Sequence, residues 1–293
     1  MEELEIELSK MKVDFQSLET IQNKEEIVVA RVKNNNDSLI IKYFKNVEFR
    51  REIENYKILL SLNIPTLRII STTDNAILME DICRSNKYRL GSKEDLDNPT
   101  ITSLVAEWYR LLHYKGSSYI LENDNSRNLY DENDIITLEN IQYIKQRTLT
   151  NALPVWKLIE NNYDVIYKYI SNIKRTLTYN DFYYTNLIVF KEQTSAMMYD
   201  YNLLGKGYAY SDIRNVCSSL SLKAKEAFLD TYGEYNTDEF IADEVSSVIT
   251  SLYFASQKEK FPTWANEILV SLHHGYERKV NELLELVKWE MLI

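Results

Sequence analysis

A two-lobed α+β protein is what this sequence predicts, with a small antiparallel-sheet lobe followed by a larger, mainly helical one. Three observations carry that expectation. The first 79 residues hold β-prone runs separated by turn formers, with a single helical stretch among them. Beyond residue 99 apolar residues recur at three- and four-residue spacing. Inside that helical part sits an island of two short strands, 187–190 and 196–199, bracketed by Asp181, Asn186 and Asp200.

Residues 27–32 alternate, with Val28, Ala30 and Val32 on one side; Asn34, Asn35, Asn36 and Asp37 form a turn, and 38–44 is a second β-prone run, giving a hairpin. Asn46 stands where a cap would open a helix over 47–62. Strands at 66–70 and 76–79, around a turn at 72–75, complete a lobe spanning 1–79. Residues 80–98 read as hinge and linker, polar and rich in turn formers from Gly91 onward. Within 99–293, helices are expected over 102–113, 138–146, 156–173, 212–222, 224–231, 239–257 and 263–287, with a polar stretch at 123–134 and Gly275 placed to interrupt the last.

Composition narrows the function. The 293 residues suffice for two lobes with real cores, and 45% hydrophobic content is that of an ordinary globular chain. A net charge of −10 with no Lys/Arg-dense tract argues against nucleic acid as partner. Cys83 and Cys217 are too few for a disulfide framework, and three histidines form no zinc pattern, so a metal site has to be built from oxygen. The acidic N-terminus is unlike a signal peptide and no apolar stretch approaches a membrane span, so a cytoplasmic protein without membrane contact is expected.

Asn186 and Asp200 flank a hairpin of two short strands, with a polar turn at 191–194, and the hairpin brings them to one end. One carboxylate and one amide oxygen are enough protein ligands for Mg²⁺, which completes its shell with substrate phosphates. Asp181, earlier on the same loop, is then available to orient a hydroxyl and accept its proton. Taken singly, these three residues are ordinary turn and strand-end residues; their joint spacing with Gly205, Gly207 and Asp212 makes a site.

The run from Thr178 to Phe190, followed by Tyr199-Asp200-Tyr201 and Gly205-Lys206-Gly207, resembles the phosphotransferases of the aminoglycoside and choline kinase type, relatives of the protein kinases. That family's loop reads His-Gly-Asp-Leu-His-x-x-Asn, and here Tyr179-Asn180 replace His-Gly. The resemblance implies a protein-kinase-like fold, with Asp181 as the catalytic aspartate that accepts the proton, Asn186 and Asp200 as Mg²⁺ ligands and Asp212 as a buried structural residue. It carries Lys42 onto the nucleotide lysine and Glu52 onto its helical partner, with Glu54 as rival because only ten positions separate Lys42 from Glu52. Glu80 and Ile82, in the hinge, would offer backbone groups to a purine edge. Leu111-Leu112-His113 resembles the end of the first large-lobe helix, where His113 reads as a helix-terminal residue facing the dipole.

Two departures matter. No glycine precedes Gly91, so residues 20–26, with Gln22, Asn23 and Lys24, would have to serve as the phosphate-cradling loop. Tyr183 and Tyr184 add aromatic bulk beside Asp181. The expected activity is transfer of a phosphoryl group from ATP, with GTP as alternative donor, to a hydroxyl of a small molecule. The acids Asp230, Glu234, Asp238, Glu239, Asp243 and Glu244 would favour a cationic one. The alternative is a kinase-like protein that binds without transferring phosphate.

Overall fold

The structure, a computed structural model, describes residues 1–24, 26–34, 37–123 and 129–290. Glu25 of the expected phosphate loop, Asn35 and Asn36 of the first turn, and residues 124–128 of the polar stretch lie outside the described residues. The chain opens with α1 (Glu2–Lys10), β1 (Ser17–Lys24), β2 (Ile27–Asn34), β3 (Asp37–Phe44), α2 (Arg51–Ser61), β4 (Ile69–Thr72) and β5 (Ala76–Glu80). The strands form one antiparallel sheet in the order β1-β2-β3-β5-β4.

Strand periodicity gives this sheet two apolar faces. Val28, Ala30, Val32, Ile41, Ala76 and Leu78 face one way and are covered by Leu4 and Leu8 of α1. Helix α1 is absent from the sequence reading, because its polar residues hide two leucines four apart. Their burial stabilises it by about 1.5–3 kcal/mol each. Phe44, Ile77 and Met79 face the other way and join the core shared with α2 and the larger lobe. Lys42 lies on that second face, two residues before Phe44, paired in the ladder with Val29 and Ile77.

The expected phosphate loop differs. Gln22, Asn23 and Lys24 belong to β1 and pair with Val29, Val28 and Ile27, with a bulge between Thr20 and Gln22. The ladder, which needs only backbone groups, overrides the polar side chains, and Glu26 takes the left-handed turn conformation at φ 64°.

After β6 (Tyr88–Leu90) comes α3 (Pro99–Glu122), nine residues longer at its C-terminal end than the pattern suggested. Asn98 opens it, its side chain accepting from the N–H groups of Thr100 and Ile101, with Pro99 following. His113 is therefore a mid-helix residue and not a terminal one. Then follow β7 (Tyr130–Asp131), α4 (Leu138–Arg147), α5 (Pro154–Asn161), α6 (Tyr163–Asn172), β8 (Thr176–Thr178), β9 (Leu187–Phe190), β10 (Ala196–Met198), β11 (Gly205–Gly207), α7 (Ala209–Cys217), α8 (Leu222–Tyr232), α9 (Thr237–Ser256), α10 (Asn266–His273) and α11 (Tyr276–Glu290). The helix expected at 156–173 is two, broken at Asn162, whose φ of −119° leaves the helical region. Gly275, at φ 107°, separates α10 from α11.

Strands β9 and β10 form the expected hairpin, with Met198 opposite Leu187, and β6 adds to its edge. Strands β7, β11 and β8 make a second three-stranded sheet, each too short to show alternation in sequence. One core joins α2 to the hairpin and α3 through Tyr56, Trp108, Tyr109, Tyr179 and Tyr201; another lies among α4, α5, α6, α9 and α11 around Trp156, Ile170, Ile249 and Leu283. Among the described residues, no helix is long and apolar enough to cross a membrane.

Candidate active site

Five of the residues singled out by sequence meet where the two lobes touch. Lys42 Nζ lies 2.6 Å from Glu52 Oε2 and 2.8 Å from Asp200 Oδ1. Asn186 Nδ2 donates to Asp181 Oδ2 at 2.9 Å and to the Asp181 carbonyl at 3.2 Å. Glu54, the rival partner, points outward and pairs with Lys57 at 2.6 Å. The short spacing from Lys42 to Glu52 is bridged by a turn of 3₁₀ helix over Val47–Arg50, opened by the Asn46 side chain accepting from the Glu48 N–H at 2.9 Å.

The loop carrying Asp181 is held from behind. Asp212 is buried and accepts from the N–H groups of Tyr179 at 2.7 Å and Asn180 at 2.9 Å. Asn180 stands at φ 66°, a left-handed conformation that asparagine tolerates, and its Nδ2 donates to the Leu203 carbonyl and to Thr178 Oγ1, both at 3.0 Å. Tyr179 is wholly buried, and its hydroxyl donates to the Tyr199 carbonyl at 2.5 Å. The Tyr179 side chain thus ties the loop to the residue before Asp200. Asp200 also takes left-handed geometry, at φ 63°.

Charge is unevenly shared here. Burial first, and then the nearby Asp200 carboxylate, push the Asp181 carboxyl up to about 6 against the pull of the Asn186 hydrogen bond and Lys42. Glu52, removed from water and sharing one ammonium with Asp200, is pushed up to about 7, burial being the larger cause. Burial would lower Lys42, yet the two carboxylates outweigh it and hold the ammonium charged. The result is a carboxylate cluster short of positive charge, the donor chemistry a hard divalent cation satisfies. Among the described residues no three His, Cys, Asp or Glu side chains form a self-sufficient metal site. The protein ligands that fit Mg²⁺ are the Asp200 carboxylate and Asn186 Oδ1, the amide oxygen left when Nδ2 is given to Asp181.

Glu80 and Ile82, expected in the hinge, stand on either side of Asp81. Glu80 ends β5, with its N–H donating to the Arg68 carbonyl at 3.2 Å, and Ile82 is buried at the start of a 3₁₀ turn whose Ser85 N–H takes the Ile82 carbonyl at 3.0 Å. Between them stands Asp81, a residue of the expected hinge to which the sequence assigns no role of its own. Asp81 accepts from Arg31 Nε at 2.6 Å and Ser38 Oγ at 2.7 Å, pinning the hinge to β2 and β3. Burial opposes its charge, but those two bonds and the Arg31 charge hold its carboxyl below the usual range. Arg31 and Asp81 stand 50 positions apart, so no local pattern in the sequence announces the pair. Of the tyrosines flanking Asp181, Tyr183 is half exposed with its ring 4.6 Å from that of Tyr184, while Phe182 is buried against Tyr109.

The two lobes, the helix bearing Glu52 and the loop bearing Asp181 make up a protein-kinase-like fold. By structure the chain is similar to choline kinase LicA from Streptococcus pneumoniae, at 13% identity over 96% of this chain and 98% of that one, with a TM-score of 0.59. It is also similar to an ethanolamine kinase from Plasmodium vivax, at 15% identity over 92% and 82% with a TM-score of 0.55. A spectinomycin phosphotransferase solved with ADP and spectinomycin aligns at 12% identity over 98% and 97%, with a TM-score of 0.55. At these identities the likeness establishes the fold. No family model matches the sequence, and no curated protein matches it.

Proposed function

We propose that this protein transfers a phosphoryl group from ATP to a hydroxyl of a small molecule, with Mg²⁺ bound by Asn186 and Asp200. The observation that carries the reading is the convergence of the Glu52 and Asp200 carboxylates on the Lys42 ammonium, beside the Asn186–Asp181 contact. When bound, Mg²⁺ supplies charge neutralisation on the phosphates. The chain's own residues do the rest. Lys42, fixed by Glu52, presents its ammonium to the phosphates, which displace it from Asp200. Asp181 Oδ2 is taken by Asn186, so Oδ1 is the oxygen that receives the proton of the attacking hydroxyl. In the hinge, the Ile82 N–H is proposed to meet the purine edge, with Glu80 forming the rim.

The phosphoryl acceptor is proposed to be a small, cationic alcohol, in keeping with the choline and ethanolamine kinases among the similar structures. The acids counted for this in the sequence divide. Asp243 pairs with Arg214 at 2.6 Å, Glu244 with Lys279 at 2.7 Å, and Glu239 accepts from the Tyr210 N–H at 3.0 Å. Asp230, Glu234 and Asp238 are exposed. Only these last three are left to favour a cation.

A nucleotide-dependent phosphotransfer assay over cationic and neutral alcohols tests the reading. Asp181→Asn should cut turnover by about 10²–10⁴-fold while calorimetry shows nucleotide binding intact; undiminished transfer in this variant would sink the role assignment. The tight β1–β2 turn, with Gln22 to Lys24 held in the ladder, favours a second reading in which the fold binds a ligand without transfer. Its signature is the absence of both Mg²⁺-dependent ATP heat and turnover with any alcohol.

A further inference from the structure

In the hinge, backbone N–H groups are spoken for on both sides of Ile82. The Glu80 N–H goes to the Arg68 carbonyl at 3.2 Å, the Cys83 N–H to Asp81 Oδ1 at 3.2 Å, the Arg84 N–H to the Asp81 carbonyl at 3.0 Å and the Ser85 N–H to the Ile82 carbonyl at 3.0 Å. The Ile82 N–H meets no acceptor among the described residues. Ile82 is buried, and buried N–H groups are rarely left open unless something else binds them. The direction of this N–H is set by the far side of its own peptide. The oxygen of that peptide is the Asp81 carbonyl, bonded to Arg84 in the 3₁₀ turn over Ile82–Arg84, and in a planar trans peptide the N–H points the opposite way, out of the turn.

We propose that Asp81 is a positioning residue for recognition of the nucleotide base: clasped by Arg31 and Ser38, it aims the Ile82 N–H at the purine edge. The inference rests on the nucleotide-binding part of the functional reading and needs no phosphotransfer. The Asp81 side chain is only 1% exposed, and each of its oxygens is engaged. Oδ2 accepts from Arg31 Nε at 2.6 Å and Ser38 Oγ at 2.7 Å, while Oδ1 accepts the Cys83 N–H. Two strands and the turn thus meet on one carboxylate, at the residue whose peptide carries the open N–H. Arg31 stands on the cleft face of the sheet: Val28, Ala30 and Val32 turn toward α1, and Arg31 lies opposite Ile40 as Val29 lies opposite Lys42. One sheet face therefore sets both ends of the nucleotide, Lys42 for the phosphates and, about 7 Å further along β2, Arg31 for the hinge. Without the clasp the peptide between Asp81 and Ile82 keeps only its Arg84 bond and can rotate. Lys42 with Glu52 and Asp200 has no contact with the clasp, so the loss falls on the base alone. Arg31 Nη1 also lies 3.6 Å from Glu19 Oε2, so the guanidinium keeps an acidic neighbour when Asp81 is replaced.

Calorimetry with Mg²⁺-ATP, adenosine and Mg²⁺-tripolyphosphate on the wild-type protein, Asp81→Ala and Arg31→Met tests the assignment. Asp81→Ala should raise the dissociation constants of ATP and adenosine by about 3–10-fold, the weight of one hydrogen bond, and leave that of tripolyphosphate within about twofold. Arg31→Met should act in the same direction by a smaller factor, and the double variant should be no worse than Asp81→Ala, because both act through one carboxylate. In the ¹H–¹⁵N spectrum adenosine should shift the Ile82 amide of the wild-type protein, and shift it less in Asp81→Ala. The proposal is overturned if ATP and tripolyphosphate weaken together, as a general loosening of the lobes would make them do. It is equally overturned if the variants bind ATP as tightly as the wild type, if the two substitutions are fully additive, or if adenosine leaves the Ile82 amide unmoved. Should Asp81→Ala not fold, Arg31→Met decides by the same ligands and the same amide. A protein that binds ATP and phosphorylates no alcohol would end the transfer reading and leave the role of Asp81 to these measurements; one that binds no nucleotide would end both.

Discussion

At the residue scale the site holds two carboxyls in unfavourable places, and each has a measurable consequence. The Asp181 carboxyl, at about 6, stands above its ordinary 3.8. Below about 4 the folded and unfolded chains both carry the proton; between about 4 and 6 the unfolded chain gives it up while the folded chain keeps it, so Asp181 progressively destabilises the native state over that window, and the effect is complete above 6. Asp181→Asn should therefore raise thermal stability at pH 7.5 by on the order of 2 kcal/mol, a gain that shrinks to nothing near pH 4. Equal stability of the two proteins at pH 7.5 would contradict the raised value. The same titration predicts that kcat/KM climbs with pH and levels off above about 6, where the base is free of its proton. The choice of Glu52 over Glu54 also belongs to this scale: both are acids on one helix in sequence, and only the 3₁₀ turn before α2 rotates Glu52 onto Lys42.

Among the elements, α3 and β8 show how close packing places the catalytic loop. A Cβ on Gly116 would stand 2.6 Å from the Leu177 nitrogen and 2.7 Å from Leu177 Cβ, so Gly116→Ala must push α3 off the strand that leads into Asp181. Intrinsic propensity favours alanine in a helix by about 1 kcal/mol, yet the collision with backbone reverses the sign. We expect a net loss of stability and of turnover, read by denaturant unfolding and the phosphotransfer assay; a stabilised, fully active Ala variant would refute the packing account. Helix α1 gives a contrasting case. Leu8 is fully buried on the outer face of the sheet, and Leu8→Ala should cost about 2–5 kcal/mol. Because that face lies opposite Lys42, nucleotide affinity at a temperature where the variant remains folded should be preserved.

For the molecule as a whole, the lobes are held by more than the candidate site. Asn55 Nδ2 donates to the Tyr201 carbonyl at 2.7 Å, Trp108 Nε1 to the Pro65 carbonyl at 2.8 Å and Lys115 Nζ to the Leu62 carbonyl at 2.6 Å. Helix α2 is thereby fastened to the larger lobe at both ends of its span. A ligand that joins Lys42 to Asp200 adds to this docking. ATP with Mg²⁺ at about 100 times its dissociation constant should stabilise the folded protein by about 2.7 kcal/mol, seen as a rise in Tm. Chelating the metal should remove most of that rise; an unchanged shift in chelator would rule out the Asn186–Asp200 ligand pair.

The sequence by itself determined the two-lobed fold and the β9–β10 hairpin, and it singled out Asp181, Asn186 and Asp200 as candidates, because alternation, turn chemistry and the spacing of those three residues are local properties that neighbours in the chain impose. Tertiary structure alone decided that Glu52 meets Lys42, that Asp81 clasps Arg31, that α1 seals the outer sheet face and that His113 reaches Asp212 from mid-helix. Each of those joins residues from different elements, and which polar partner a buried charge obtains depends on what packing brings within hydrogen-bonding distance when water is excluded. The β1–β2 turn belongs with them: its side chains are polar enough for a loop, but the backbone ladder with β2 makes it a strand up to Lys24.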